Sequence, residues 1–226
     1  MKIITTILMK ILILSLPRTG STSLLSKIQK QNYKGIFEPY SIDQIKHNYQ
    51  YPLKELNENN RVVVKQIFAN VWNKEESPVE FYKYPNRNQT LYASHQIEFA
   101  KYFDKVILLD RRNTEEHLKS CINVFYKQSQ NKNIFEKWEE KDLPQDYIDN
   151  HILENGHSHF YIQKSEILLV SKKLDIDITW YEDLYGEDRN KSLEIIKSWN
   201  LDINEELLNE DLHPRNKYLI KNKSIL

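Results

Sequence analysis

The run Ile11-Leu12-Ile13-Leu14-Ser15-Leu16 is apolar almost throughout and stops at Pro17-Arg18-Thr19-Gly20-Ser21-Thr22-Ser23. Beyond that turn, Leu24, Leu25 and Ile28 share one helical face. A near-continuous apolar run suits a parallel strand covered on both sides, so the pattern predicts strand, tight polar turn and helix in succession. Residues 33–40 read as a short strand or loop in which Pro39 biases Glu38 toward extended geometry, and 41–60 as polar, helical or irregular chain. Arg61 to Phe68, with Val62-Val63-Val64 in succession, predicts another strand. Residues 73–90 hold Pro78 and Pro85 and read as a surface loop, and Ala93, Ile97 and Ala100 lie at helical spacing within 91–103.

A second strand–turn–helix unit follows. Val106 to Asp110 is a short buried strand, and Asn113 is a good N-cap with Glu116 at N3. Leu118, Cys121, Ile122 and Phe125 then mark one apolar face. Residues 129–157 are polar and punctuated by Pro144 and Gly156. A helix near 158–172, a strand over 175–181 and a helix over 189–199 complete the pattern, before a tail with Arg215, Lys217, Lys221 and Lys223. Strands alternating with helices predict an α/β fold of three layers, a central parallel sheet with helices on both faces.

Composition narrows the classes. The chain of 226 residues and 27.2 kDa fits one domain over 1–226 with a sizeable core. Lys+Arg and Asp+Glu both number 32, so no global field draws nucleic acid or an anionic membrane, and neither is expected as a partner. A lone Cys121 excludes an intrachain disulfide and a cysteine zinc site, and fits a reducing, cytoplasmic setting. Its place on the apolar face makes it a packing residue. His157 and His159 lack a placed third ligand, so no metal site is expected. No stretch reaches the length of a membrane span. Met1 to Leu16 has the lysines and apolar run of a signal peptide, but no A-x-A-like site follows it, and cleavage would delete the first strand. Met9-Lys10-Ile11 repeats Met1-Lys2-Ile3, which makes Met9 an alternative start and 1–8 a dispensable extension.

The turn at 17–23 has the chemistry of an anion site. Backbone N–H groups at a helix start, the helix dipole and neighbouring hydroxyls all favour negative charge, and Gly20 lets a phosphate approach. A Walker A loop is excluded, because no lysine follows Gly20 and no glycine stands five residues before it.

Pro17-Arg18-Thr19-Gly20-Ser21-Thr22-Ser23-Leu24 instead resembles the phosphosulfate loop of the sulfotransferases, P-K-S-G-T-T-W-L in the cytosolic branch. Two further segments follow in the family's order. Arg112 and Ser120 stand eight apart, as do the arginine and serine of R-N-A-K-D-V-A-V-S that hold the donor's 3′-phosphate. Arg111 is the competing choice, since strand alternation turns the two arginines to opposite sides. Trp180-Tyr181-Glu182-Asp183-Leu184 is similar to R-Y-E-D-L, where a strand ends beside adenine. The resemblance runs from Ile11 to Leu201, with specificity in those three segments.

The resemblance implies a P-loop-like fold. It also implies sulfuryl transfer from 3′-phosphoadenosine 5′-phosphosulfate (PAPS) to a hydroxyl or amine of a small-molecule or glycan acceptor, releasing 3′-phosphoadenosine 5′-phosphate (PAP) without a metal. Arg18 would stand for the family lysine, Thr19, Gly20, Ser21, Thr22 and Ser23 would cradle the 5′-phosphosulfate, and Arg112 and Ser120 would bind the 3′-phosphate. Tyr181 would contact the base, with Glu182 and Asp183 holding the turn. The chain departs from the cytosolic branch at Lys65-Gln66-Ile67, where that branch has a catalytic histidine in K-T-H, and at Ser23, where it has a tryptophan. The C-terminal R-K-G is echoed only by His213 to Lys217. The chain is therefore closer to the carbohydrate-type, bacterial and viral branches, some of which use a glutamate after the first helix as base. Glu38 holds that kind of position, and Lys65 could assist Arg18. A P-loop-like nucleotide kinase or hydrolase and a non-catalytic nucleotide- or glycan-binding relative are the other readings.

Overall fold

A computed structural model of the chain describes residues 9–38, 56–68, 90–130, 144–155 and 158–201. Five strands, β1 (Met9–Ser15), β2 (Lys34–Phe37), β3 (Arg61–Ile67), β4 (Lys105–Asp110) and β5 (Ile178–Trp180), form one sheet in the order β2-β3-β1-β4-β5. Every pairing is parallel. The helices are α1 (Ser21–Gln29), α2 (Thr90–Ala100), α3 (Thr114–Ser129), α4 (Gln145–Asn155), α5 (Ser158–Leu174), α6 (Tyr181–Tyr185) and α7 (Arg189–Ser198). The expected layers are present. Leu12 and Leu14 of β1, with Val62, Val64 and Leu108, pack against α2 and α5 through Ala93, Phe99, Ile167 and Val170. Ile11 and Ile13, with Val63, Ile107 and Leu109, face Leu24, Leu25 and Ile28 of α1 and Leu184, Ile196 and Trp199 beyond β5. Burial of β1 on both faces explains its unbroken apolar run.

Chain direction places the site. From β1 the chain crosses through α1 toward β2 on one edge, and from β4 it crosses toward β5 on the other. Helix α1 of the first crossing and helix α5 of the second lie on opposite faces, as a constant handedness of crossover requires. Neighbours β1 and β4 thus release their chains in opposite directions, a topological switch point, and open α/β sheets bind ligands beyond the carboxyl ends of the strands there. Register brings Ser15 beside Leu109, so the turn after β1 and the turn after β4 leave the sheet together.

Two details sharpen the pattern and the last strand departs from it. The stretch 33–40 contributes a true edge strand, β2, paired to β3. The last strand is short, because Asp175 adopts φ 54 and Tyr181 already opens a helix. Tyr181 is therefore the first residue of α6, and the acids that follow it reach back to the β4–α3 turn. Helix α1 starts at Ser21 from Gly20, whose φ of 77 lies in the left-handed region. Residues 1–8, His157, most of the 41–60 and 73–90 segments and the basic tail lie outside the described residues, as does the side chain of His159.

The Tyr185 ring occupies the space that a side chain at residue 20 would fill. A Cβ on Gly20 would stand 2.4 Å from Tyr185 Cε2, while the Tyr185 hydroxyl donates to the Gly20 carbonyl at 2.7 Å. Gly20→Ala is expected to cost about 1–3 kcal/mol, from strain and clash together. In a Tyr185→Ala background the same change should cost less, by about 1 kcal/mol or more, in a urea-unfolding double-mutant cycle.

Candidate functional site

The β1–α1 turn is held from inside. Thr19 is fully buried, and its hydroxyl donates to the Leu16 carbonyl at 2.9 Å, so that group braces the turn. Ser21 and Ser23 are buried and Thr22 is half-buried, while Arg18, at φ 63, is exposed. The first turn of α1 carries no acid, so no side chain there offsets the positive end of the helix.

Helix α3 meets it through Arg18, whose Nε donates to Ser120 Oγ at 3.4 Å. Asn113 caps α3 as its spacing predicts, its Oδ1 accepting from Glu116 N at 3.1 Å. His117, absent from the sequence reading, is the deeper link. It has no exposed surface, and its Nε2 lies 2.6 Å from the Pro17 carbonyl. A carbonyl only accepts, so Nε2 carries the proton. Phe160 packs edge-on against the ring at 5.0 Å. Nδ1 stands 3.5 Å from Asp110 Oδ1, which already accepts from Lys164 Nζ at 2.8 Å and Arg111 N at 2.7 Å. Burial pulls the His117 imidazolium down to about 4, so the ring is neutral near pH 7. Burial also pushes the Asp110 carboxyl up, against the opposing Lys164 ammonium.

The two arginines of the turn part company. Arg112 Nη1 donates to Asp183 Oδ1 at 2.6 Å, and its Nη2 donates to the other oxygen. Glu182 accepts from the backbone N–H groups of Arg112 and Asn113, at 2.9 and 3.2 Å. The acids of Tyr-Glu-Asp-Leu thus hold the turn. Asp183 also pairs with Lys191 at 2.7 Å, and the Arg112 hydrogen bonds hold its carboxyl down to about 2. Arg111 instead lays its guanidinium over the Tyr181 ring, 4.5 Å from the centroid.

On the other side of β1, Lys65 of β3 is ion-paired with Glu38, and its Nζ lies 4.2 Å over the Phe37 ring. Glu38 has φ 41, and its N–H donates to the Lys65 carbonyl at 2.7 Å. Left-handed geometry in place of the extended form expected before Pro39 turns the carboxylate back onto β3. Burial lowers the Lys65 ammonium, Glu38 opposes, and the Arg18 charge acts with burial. Arg18 therefore lies within electrostatic reach of Lys65 as well as hydrogen-bonded to Ser120. The structure brings Arg18, Ser120, Lys65 and Glu38 to one end of the sheet; it sets Arg112 on Asp183 and Tyr181 under Arg111. Asp110, His117, Lys164 and Tyr185 went unread because their partners are backbone carbonyls and distant side chains, which leave no local spacing.

Among the described residues, no group of three or more His, Cys, Asp or Glu is placed to hold a metal ion, and no helix is long and apolar enough to cross a membrane. No family model matches the chain, and no curated protein matches it. Among solved structures, tRNA delta(2)-isopentenylpyrophosphate transferase from Staphylococcus epidermidis matches at 10% identity and a TM-score of 0.33, over 84% of this chain and 97% of that one. A likeness of that degree carries neither fold nor function. The α/β class rests on the sheet itself.

Two buried groups give opposite pH slopes. His117 rises from about 4 to an ordinary 6.5 on unfolding, so its contribution is present above 6.5 and lost as pH falls toward 4. Glu166 of α5 is buried, neither of its carboxylate oxygens hydrogen-bonded among the described residues, and burial holds it up at about 7 against an ordinary 4.5. Its contribution is present below 4.5 and lost as pH rises through 7. Between pH 4.5 and 6.5 the two oppose each other in the wild-type protein. Urea unfolding across that window should show His117→Gln losing stability with rising pH and Glu166→Gln gaining it.

Proposed function

We propose that the chain transfers a sulfuryl group from PAPS to the hydroxyl or amine of a small-molecule or glycan acceptor, leaving PAP. The observation that carries this reading is Arg18. It joins the two strand–turn–helix units by its contact with Ser120 at the switch point, and its charge reaches Lys65, which is paired with Glu38. Three segments in the sulfotransferase order supply the residues of that junction and of the strut behind it. The residues suit a polyanion: Arg18 and Arg111 stand just beyond β1 and β4, Lys65 lies in the second half of β3, and the first turn of α1 holds no acid.

Each group then has a task. N–H groups of the Gly20–Ser23 turn bind the 5′-phosphosulfate, with the Thr22 hydroxyl beside them. Ser120 and an arginine of the β4–α3 turn hold the 3′-phosphate. Glu38 removes the acceptor's proton as the acceptor oxygen or nitrogen bonds to sulfur, and the bond from sulfur to the bridging oxygen breaks in line. Arg18 and Lys65 stabilise the charge left on that oxygen. As in phosphoryl transfer, most of the acceleration comes from positioning and fixed charge.

Incubation with PAPS and a panel of sugar, phenol and amine acceptors, with PAP release as readout, tests the assignment. Glu38→Gln is expected to slow release by about 10²–10⁴-fold while PAP still raises the melting temperature. Undiminished transfer by Glu38→Gln would remove Glu38 as base. PAP binding without transfer to any acceptor would favour a non-catalytic relative, and Mg-ATP turnover without PAPS consumption would favour a nucleotide kinase or hydrolase.

A further inference from the structure

The neighbouring arginines of the β4–α3 turn differ in what their charge already meets. Arg112 has spent its fork on Asp183, its backbone N–H on Glu182, and its side chain is 49% exposed over the Trp180 ring. That set of contacts ties the turn to α6. Arg111 is the reverse. Its side chain is 13% exposed, and among the described residues its buried Nε has no hydrogen-bond partner and its carboxylate contact is Glu116 at 3.5 Å, itself 62% exposed.

A guanidinium removed from water needs partners for its donors, and an unmet buried donor is costly. Arg111 is also held ready. Its N–H donates to Asp110, its carbonyl accepts from Lys164, and its planar face rests on Tyr181. Fixed backbone and stacked face leave the fork little freedom to lose on binding a planar pair of oxygens. Arg111 leaves β4 beside the turn that carries Arg18. Burial pushes the Cys121 thiol of α3 up to about 11, and the charges of Arg18, Arg111 and Lys164 pull against it.

We infer that Arg111, rather than Arg112, is the anion ligand of the β4–α3 turn, with Tyr181 as its positioning residue and Arg112 as a strut. The ligand class is a phosphate or sulfate group presented toward α3. Its identity as the donor's 3′-phosphate rests on the sulfuryl-transfer reading, whereas the choice of arginine rests on contacts alone.

Isothermal titration of the full chain with PAP and, separately, with inorganic pyrophosphate tests this in Arg111→Met, Arg111→Lys and Arg112→Ala, with unliganded melting temperatures alongside. Arg111→Met and Arg111→Lys are expected to weaken PAP about 10- to 100-fold. Arg111→Met should melt no lower than wild type, because it removes an underpaired cation. Arg112→Ala should melt lower yet keep PAP within about threefold. Wild-type affinity in Arg111→Met, or loss of PAP in Arg112→Ala with Arg111→Met intact, would overturn the inference and leave the nucleotide reading standing. Pyrophosphate bound by wild type without PAP, and lost in Arg111→Met, would uphold Arg111 and overturn the nucleotide reading. Binding of neither probe by wild type would overturn both.

Discussion

Two adjacent parallel strands that release their chains in opposite directions set everything else in this molecule. Parallel β1 and β4 cannot be joined by a tight turn, so each feeds a crossover helix, and the helices leave on opposite faces of the sheet. Beyond Ser15 and Leu109 the turns after β1 and β4 therefore leave the sheet side by side, at the position where open α/β sheets bind ligands. Arg18, Ser120, Arg111 and Glu38 acquire chemical meaning from that geometry, because in sequence they lie far apart.

The turns at this switch point are held by polar contacts behind them. His117 reaches the Pro17 carbonyl from α3, so the turn that carries Arg18 is fixed to the helix that carries Ser120. Lys164 reaches Asp110 and the Arg111 carbonyl from α5, which ties that helix to the β4–α3 turn. Glu182 and Asp183 brace the turn from α6. Buried and half-buried groups of this kind are a weak source of net stability, since desolvation offsets much of their attraction. Their worth here is positional: removing Lys164 leaves the buried Asp110 carboxyl without its cation, and removing His117 leaves the Pro17 carbonyl without its donor.

The sheet and its flanking helices were legible in the sequence because apolar periodicity is local. Ile11 to Leu14 and Val62 to Val64 are unbroken where both faces are covered, and Asn113 with Glu116 announces its helix. Short elements were less so. Asp175 and Tyr181 look like strand residues by composition, but the acids after Tyr181 are drawn to the β4–α3 turn, and helix α6 starts there instead. Within the site, the Arg18–Ser120 contact follows from two motifs meeting at the switch point. The roles of His117 and Tyr185 do not, since each acts on a backbone carbonyl a hundred or more residues away. The partition of work between Arg111 and Arg112 was equally hidden, because it depends on where Asp183 stands.

Specific recognition of a 3′-phosphorylated adenosine nucleotide is the central claim, and a thermal-shift comparison of PAP, 5′-AMP and Mg-ATP tests it most directly. A ligand at a hundred times its dissociation constant stabilises by about 2.7 kcal/mol, well within reach of the method. A site built for the 3′-phosphate gives a clear rise with PAP, a smaller one with 5′-AMP and none with Mg-ATP. A rise with Mg-ATP and none with PAP would contradict the claim.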